Sequence, residues 1–170
     1  MQQVVLRITL LVMLYFAATF QAKAEDWLIS IGYASIPGGT VAGQRYSSSG
    51  NANMWMGVPQ AINRYQGMYI SASLPEDVWS SRTNREANAH TVLNVGLSFN
   101  PTHVVTLYAG PGFSYQRTRY GPDLETRHRY RLNANLGGIL RIGNFGVNLS
   151  YDTAPQAFGI GLVLRSSVFQ

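Results

Sequence analysis

The chain has no cysteine, and its single lysine, Lys23, lies near the N-terminus. The first absence excludes disulfide staples and thiol chemistry. The second leaves arginine to carry the positive charge of everything that follows. Long apolar runs are missing too: after Phe20 no stretch approaches the roughly 20 residues that a membrane-spanning helix needs. Histidine is scarce, with only His90, His103 and His128, and none sits in a metal-ligand spacing. No glycine-rich phosphate loop is present. No metal, no cofactor and no nucleic-acid partner are therefore expected.

What is there begins with a leader. A short cationic region at Arg7 precedes an almost wholly apolar stretch over residues 8–20, and Ala22-Lys23-Ala24 follows. That layout is a secretory signal peptide, residues 1–24, cleaved before Glu25. Residues 25–170 are then one exported domain, which loses two of the formal five net positive charges with the leader.

The exported part is patterned with a period of two. Phe145, Val147, Leu149 and Tyr151 alternate with Gly146, Asn148, Ser150 and Asp152. Phe158, Ile160, Leu162 and Leu164 alternate with Gly159, Gly161, Val163 and Arg165. Such alternation predicts strands with one apolar face. The other face, of glycine, asparagine, serine and arginine, is a poor surface for a water-soluble sheet, which would carry lysine and glutamate. It suits a narrow lumen with lipid outside. The same pattern predicts strands over residues 27–34, 54–58, 67–74, 91–99, 104–116 and 130–142. Pro111 falls inside the fifth strand and predicts a bulge there.

The count is eight, the smallest of the even-numbered outer-membrane series. Connections alternate in length. Residues 59–64, 100–103 and 143–144 are short and assigned to the periplasm; residues 75–88 and 117–129 are long and assigned to the cell exterior. The expected fold class is all-β, an eight-stranded antiparallel transmembrane barrel with a polar lumen. Trp27, Trp55, Trp79, Tyr65, Tyr115, Tyr130 and Tyr151 fall near strand ends and are read as interfacial girdles.

Several segments resemble the small outer-membrane proteins of the Ail/Lom/OmpX type. They are Ile29-Ser30-Ile31-Gly32-Tyr33-Ala34, the strand–turn–strand unit with Ala109-Gly110-Pro111-Gly112, and the closing run from Gly159 to Arg165. The family usually ends on an aromatic straight after that arginine. Here Ser166 follows and the chain runs on to Phe169-Gln170. The resemblance implies a non-enzymatic surface protein of the outer membrane. Its external loops would serve adhesion and virulence through host glycans or proteins. Its other partners would be outer-membrane lipid, lipopolysaccharide and the barrel assembly machinery. The expected state is monomeric, because a closed barrel has no free strand edge.

Two alternatives stand beside that reading, a barrel enzyme modifying lipid A or phospholipid, and a small channel. An enzyme needs a nucleophile, a base and an orienting group in mutual reach, and no serine motif adjoins any histidine, so no catalytic residue is assigned. The candidate ligand-binding residues are external: Arg82 and Arg85 in one loop, Arg117, Arg119, Arg127, His128 and Arg129 in the next. Guanidinium forks bind phosphate or sulfate bidentately. Asp26, Arg131, Arg141, Asp152 and Arg165 have inward parity and are expected to pair inside the lumen, with Asp26–Arg165 closing the barrel at its foot.

Overall fold

In a computed structural model the chain forms a closed antiparallel barrel with a small hairpin on one rim. The structure describes residues 27–41, 44–46, 48–75, 88–119 and 126–166. The barrel strands are β1 (Leu28–Ile36), β4 (Ser49–Asn63), β5 (Gln66–Pro75), β6 (Asn88–Phe99), β7 (Val105–Arg119), β8 (Thr126–Ile142), β9 (Phe145–Asp152) and β10 (Ala157–Arg165). β2 (Gly39–Val41) and β3 (Gln44–Tyr46) pair only with each other. Round the barrel each strand bonds to its sequence neighbour, and β10 returns to β1 with Leu28 opposite Arg165.

Each of the eight strands read from the alternation is present. Three details differ. The second barrel strand is much longer than the 54–58 segment, because β4 absorbs most of the expected 59–64 connection. Its pairing with β5 shifts between Val58 and Asn63, and only Arg64 and Tyr65 turn. No bulge forms at Pro111. The β6–β7 register is the same on both sides of it (Asn94 opposite Gly112, Leu97 opposite Ala109), and β7–β8 pairing runs straight through Pro111 opposite Ala134. A ladder can skip the missing N–H without an extra residue. Finally, most of the expected 117–129 loop is strand: β7 and β8 stay paired up to Arg119 opposite Thr126.

The barrel is apolar outside and polar inside. Ile31, Leu97, Leu107, Phe113, Leu136, Leu140, Leu149, Phe158, Ile160 and Leu162 are all exposed, on β1 and β6 to β10. Such a belt is far larger than the apolar patch a water-soluble monomer shows. On β4 and β5 the outward Met56, Val58, Ile70 and Leu74 are buried. Inward positions carry Asn51, Asn53, Asn94, Asn133, Asn135, Asn148 and Asp152, all buried. Turns between strands at the β1 foot are short; the opposite rim holds the β2–β3 hairpin and the tall β7–β8 hairpin.

One part of the lumen is closed by aromatics. Trp55, Tyr69 and Tyr108 pack with ring centroids 4.8–5.7 Å apart, among Leu28, Ile139 and Val163. Trp55 is therefore a lumen residue, not a girdle one, as its parity opposite the outward Met54 and Met56 dictates. Glycines make the space: a Cβ at Gly57 would lie 2.3 Å from the Trp55 ring, and one at Gly137 2.2 Å from Tyr108. Tyr69 donates its hydroxyl to Asn135 Oδ1 (3.0 Å) and Tyr108 to Asn148 Oδ1 (2.7 Å), so both rings keep a polar partner.

Candidate functional site

Above the aromatic plug a hydrogen-bonded network fills the lumen. Asp152 Oδ1 accepts from the side-chain amides of Asn94 (3.0 Å), Asn133 (2.7 Å) and Asn135 (3.0 Å). Asn133 also accepts from the backbone N–H of Ala154, and Ala134 and Thr153 exchange two bonds. The Asp152 carboxylate thus ties β6, β8 and β9 together, while Asn133 and Ala134 hold the β9–β10 turn. The amides convergent on the carboxylate are what a buried charge requires. Nearer the β7–β8 rim, Asn51 donates to Ser73 Oγ and to the carbonyl of His90.

His90 Nδ1 lies 3.3 Å from Ser114 Oγ, a pairing the sequence reading missed because β6 and β7 bring together residues far apart in sequence. Ser114 is only 1 % exposed. The pair is part of the buried lumen network. His103 lies exposed in the turn before β7, and His128 is exposed on β8.

The rim arginines fall into two sets on opposite faces of the β7–β8 hairpin. Gln116 and Thr118 are buried on the lumen side, and their partners across the ladder are Arg129 and Arg127. Arg131 sits opposite the buried Ser114. Arg127, Arg129 and Arg131 therefore form a row on the lumen side, each about 7 Å from the next at the rise of a strand. All three are exposed. Arg131, expected inside the lumen, belongs to this row because β8 rises above the end of β9, whose pairing stops at Asp152 opposite Asn135.

The outer face of the hairpin carries a different series. Phe113 lies opposite Leu132, Tyr115 opposite Tyr130, and Arg117 opposite His128. Tyr115 stacks on His128 at 5.6 Å between centroids and contacts Tyr130 at 5.1 Å. Its hydroxyl bonds His128 Nδ1. Arg119 closes β7. Arg82, Arg85, Asp26 and Trp79 lie outside the described residues. Arg141 and Arg165 are half-buried near the foot of the barrel. There Ser166 donates its N–H to the Trp27 carbonyl (2.9 Å) and accepts from the Trp27 N–H through its hydroxyl (3.2 Å). Among the described residues no group of histidines and acids could hold a metal ion.

Solved structures share this eight-stranded closed barrel with an apolar exterior and a packed polar interior. Ail, the attachment invasion locus protein of Yersinia pestis, superposes with a TM-score of 0.62 at 20 % identity, over 82 % of this chain and 97 % of that one. The fold is that of a small outer-membrane barrel. That Ail structure is a complex with the heparin analogue sucrose octasulfate; a second Ail structure matches with a TM-score of 0.60 at 17 % identity, over 84 % of this chain and 99 % of that one. OprG, an outer-membrane protein of Pseudomonas aeruginosa, matches with a TM-score of 0.50 at 12 % identity, over 84 % of this chain and 96 % of that one. No protein-family model matches the chain, and no curated protein does. The structures thus support the Ail/OmpX-type resemblance at the level of the fold.

Proposed function

We propose that the chain is a non-enzymatic surface protein of the outer membrane, exported by the leader 1–24, whose external rim binds polyanions. The observation that carries this reading is the row of Arg127, Arg129 and Arg131 on one exposed face of β8. Three guanidinium groups in line, each a bidentate partner for sulfate or phosphate, match a repeating anionic polymer better than a single small ligand. The heparin analogue bound by the similarly folded Ail adds support. Sulfated host glycans and lipopolysaccharide are both polyanions of this kind.

The outer face supports contact with lipopolysaccharide in particular. From Phe113 and Leu132, through Tyr115 and Tyr130, to Arg117 and His128, it passes from apolar to interfacial to charged side chains in the order a bilayer surface presents them.

The test is binding of refolded protein to a sulfated oligosaccharide at two salt concentrations. Changing Arg127, Arg129 and Arg131 together to Gln should weaken binding at least tenfold, about 1.4 kcal/mol, and flatten its salt dependence. Changing Arg117 and His128 to Ala should weaken binding to lipopolysaccharide more than to the oligosaccharide. Undiminished oligosaccharide binding by the triple variant would remove the rim reading.

A further inference from the structure

A buried imidazole lies beside the arginine row. His90 stands in the rim of the barrel: the β5–β6 pairing ends two positions below it, with Ser73 opposite Val92. Along the ladder it faces Gln116, which faces Arg129. The side chain is 3 % exposed, and its Nδ1 lies 3.3 Å from Ser114 Oγ. Ser114 in turn sits opposite Arg131. Asn51 donates to the His90 carbonyl (2.7 Å).

The described groups round it are neutral except on β8. β4 contributes Asn51, β5 Ser73, and β7 Ser114 and Gln116, all buried. β8 contributes Arg129 and Arg131, with Arg127 beyond them. Asp152 is the one carboxylate among the described residues; it lies lower in the lumen, bonded to Asn94, four residues further along β6. Glu76, Asp77, Glu86, Asp123 and Glu125 of the external connections lie outside the described residues. Burial, and after it the charge of Arg131, push the His90 pKa down from 6.5 to about 4. Ser114 lets the ring take a proton and keep its bond, because a hydroxyl donates to a neutral Nδ1 and accepts from a protonated one.

We infer that binding of a sulfated ligand to the rim is coupled to the uptake of one proton by His90. The inference rests on the polyanion reading and adds its regulation. A sulfate paired with Arg131 cancels the charge that opposes protonation of the imidazole. The ligand does not touch the enclosed ring; the coupling passes through charge alone. β6 and β8 are two strand spacings apart, about 10 Å. At an effective permittivity of about 20, a unit charge roughly 12 Å away is worth about one pH unit to a titrating group. The sign follows. The occupied barrel holds the proton more firmly than the free one, so affinity rises as pH falls from 6.5 toward 4. A midpoint raised by about one unit corresponds to roughly fivefold tighter binding at pH 4 than at pH 6.5. Sulfate esters stay ionised over that range, so the ligand itself does not titrate.

The experiment uses refolded full-length barrel in detergent, with its three histidines isotope-labelled, and sucrose octasulfate as the probe. Nuclear magnetic resonance follows each imidazole through a pH titration, so His103 and His128 are read apart from His90. Saturating octasulfate should raise the His90 midpoint by about one unit. Affinity measured by calorimetry should be about fivefold higher at pH 4 than at pH 6.5. His90→Gln keeps a hydrogen-bonding side chain and should bind as the parent does at pH 6.5. It should lose the His90 share of the pH response and keep only the part due to carboxylates on the external connections. Binding with an unmoved His90 midpoint would overturn the coupling and leave the polyanion reading standing. So would an equal pH response in His90→Gln, which would assign the whole effect to those carboxylates. No octasulfate binding at either pH would overturn both.

Discussion

At the scale of single residues, the lumen is where the side chains carry most weight. Trp55 was legible as inward by parity and misread as a girdle residue by composition. A tryptophan near a strand end suggests an interface, but the period of two fixes which face it is on. Its ring packs against Tyr69 and Tyr108, and Gly57 leaves the space it occupies. Trp55→Ala should therefore cost about 3–5 kcal/mol, the range for deleting a buried aromatic. Urea unfolding in detergent, followed by loss of the folded gel band, measures it. A change under 1 kcal/mol would mean that the plug contributes little. His90 and Ser114 were not legible as a pair, since their approach depends on how β6 registers against β7, which no local pattern reveals.

At the scale of elements, the alternation predicted every barrel strand, because a strand with lipid on one side and a narrow lumen on the other keeps strict periodicity. Connections were less legible. Residues 117–129 are polar and charged, which reads as loop, yet cross-strand pairing extends the ladder through most of them. Once a strand leaves the bilayer its outer face no longer has to be apolar, so the period fades while the hydrogen bonds continue. The rim arginines consequently formed one cluster in sequence and two faces in space. Closure of the barrel is also a property of elements. β1 meets β10 with Leu28 opposite Arg165, and Trp27 and Ser166 bond across the seam below. We propose that Arg165 adds an ion pair with Asp26 at this foot. Arg165→Ala should then lower the thermal midpoint by several degrees, equivalent to roughly 1–3 kcal/mol for a charge-assisted hydrogen bond. An unchanged midpoint would show that the seam closes through the backbone and Ser166 without the pair.

At the scale of the whole molecule, the distribution of polarity decides the solvent. A barrel with asparagines inside and Leu, Ile and Phe outside is unstable in water and stable in lipid. Its lumen is packed by the Trp55–Tyr69–Tyr108 plug and by the amides around Asp152, an arrangement that favours rigidity. Rigidity has a simple consequence. Each barrel strand is paired on both sides over its central part, so no strand can peel off without breaking pairs on both its sides; among the described residues the strand ends, such as β8 above Asn135 and β6 before Val92, are paired on one side only. Detergent that unfolds open sheets should leave this one intact until it is heated. The full chain, extracted from outer membranes in sodium dodecyl sulfate, should migrate as one band unboiled and as a different band after boiling, and it should fractionate with the outer membrane. Identical migration before and after boiling would refute the closed ladder. Recovery of the folded protein from the soluble periplasm would refute the apolar exterior as a lipid-facing surface, and with it the external placement of the β8 arginines on which the polyanion reading depends.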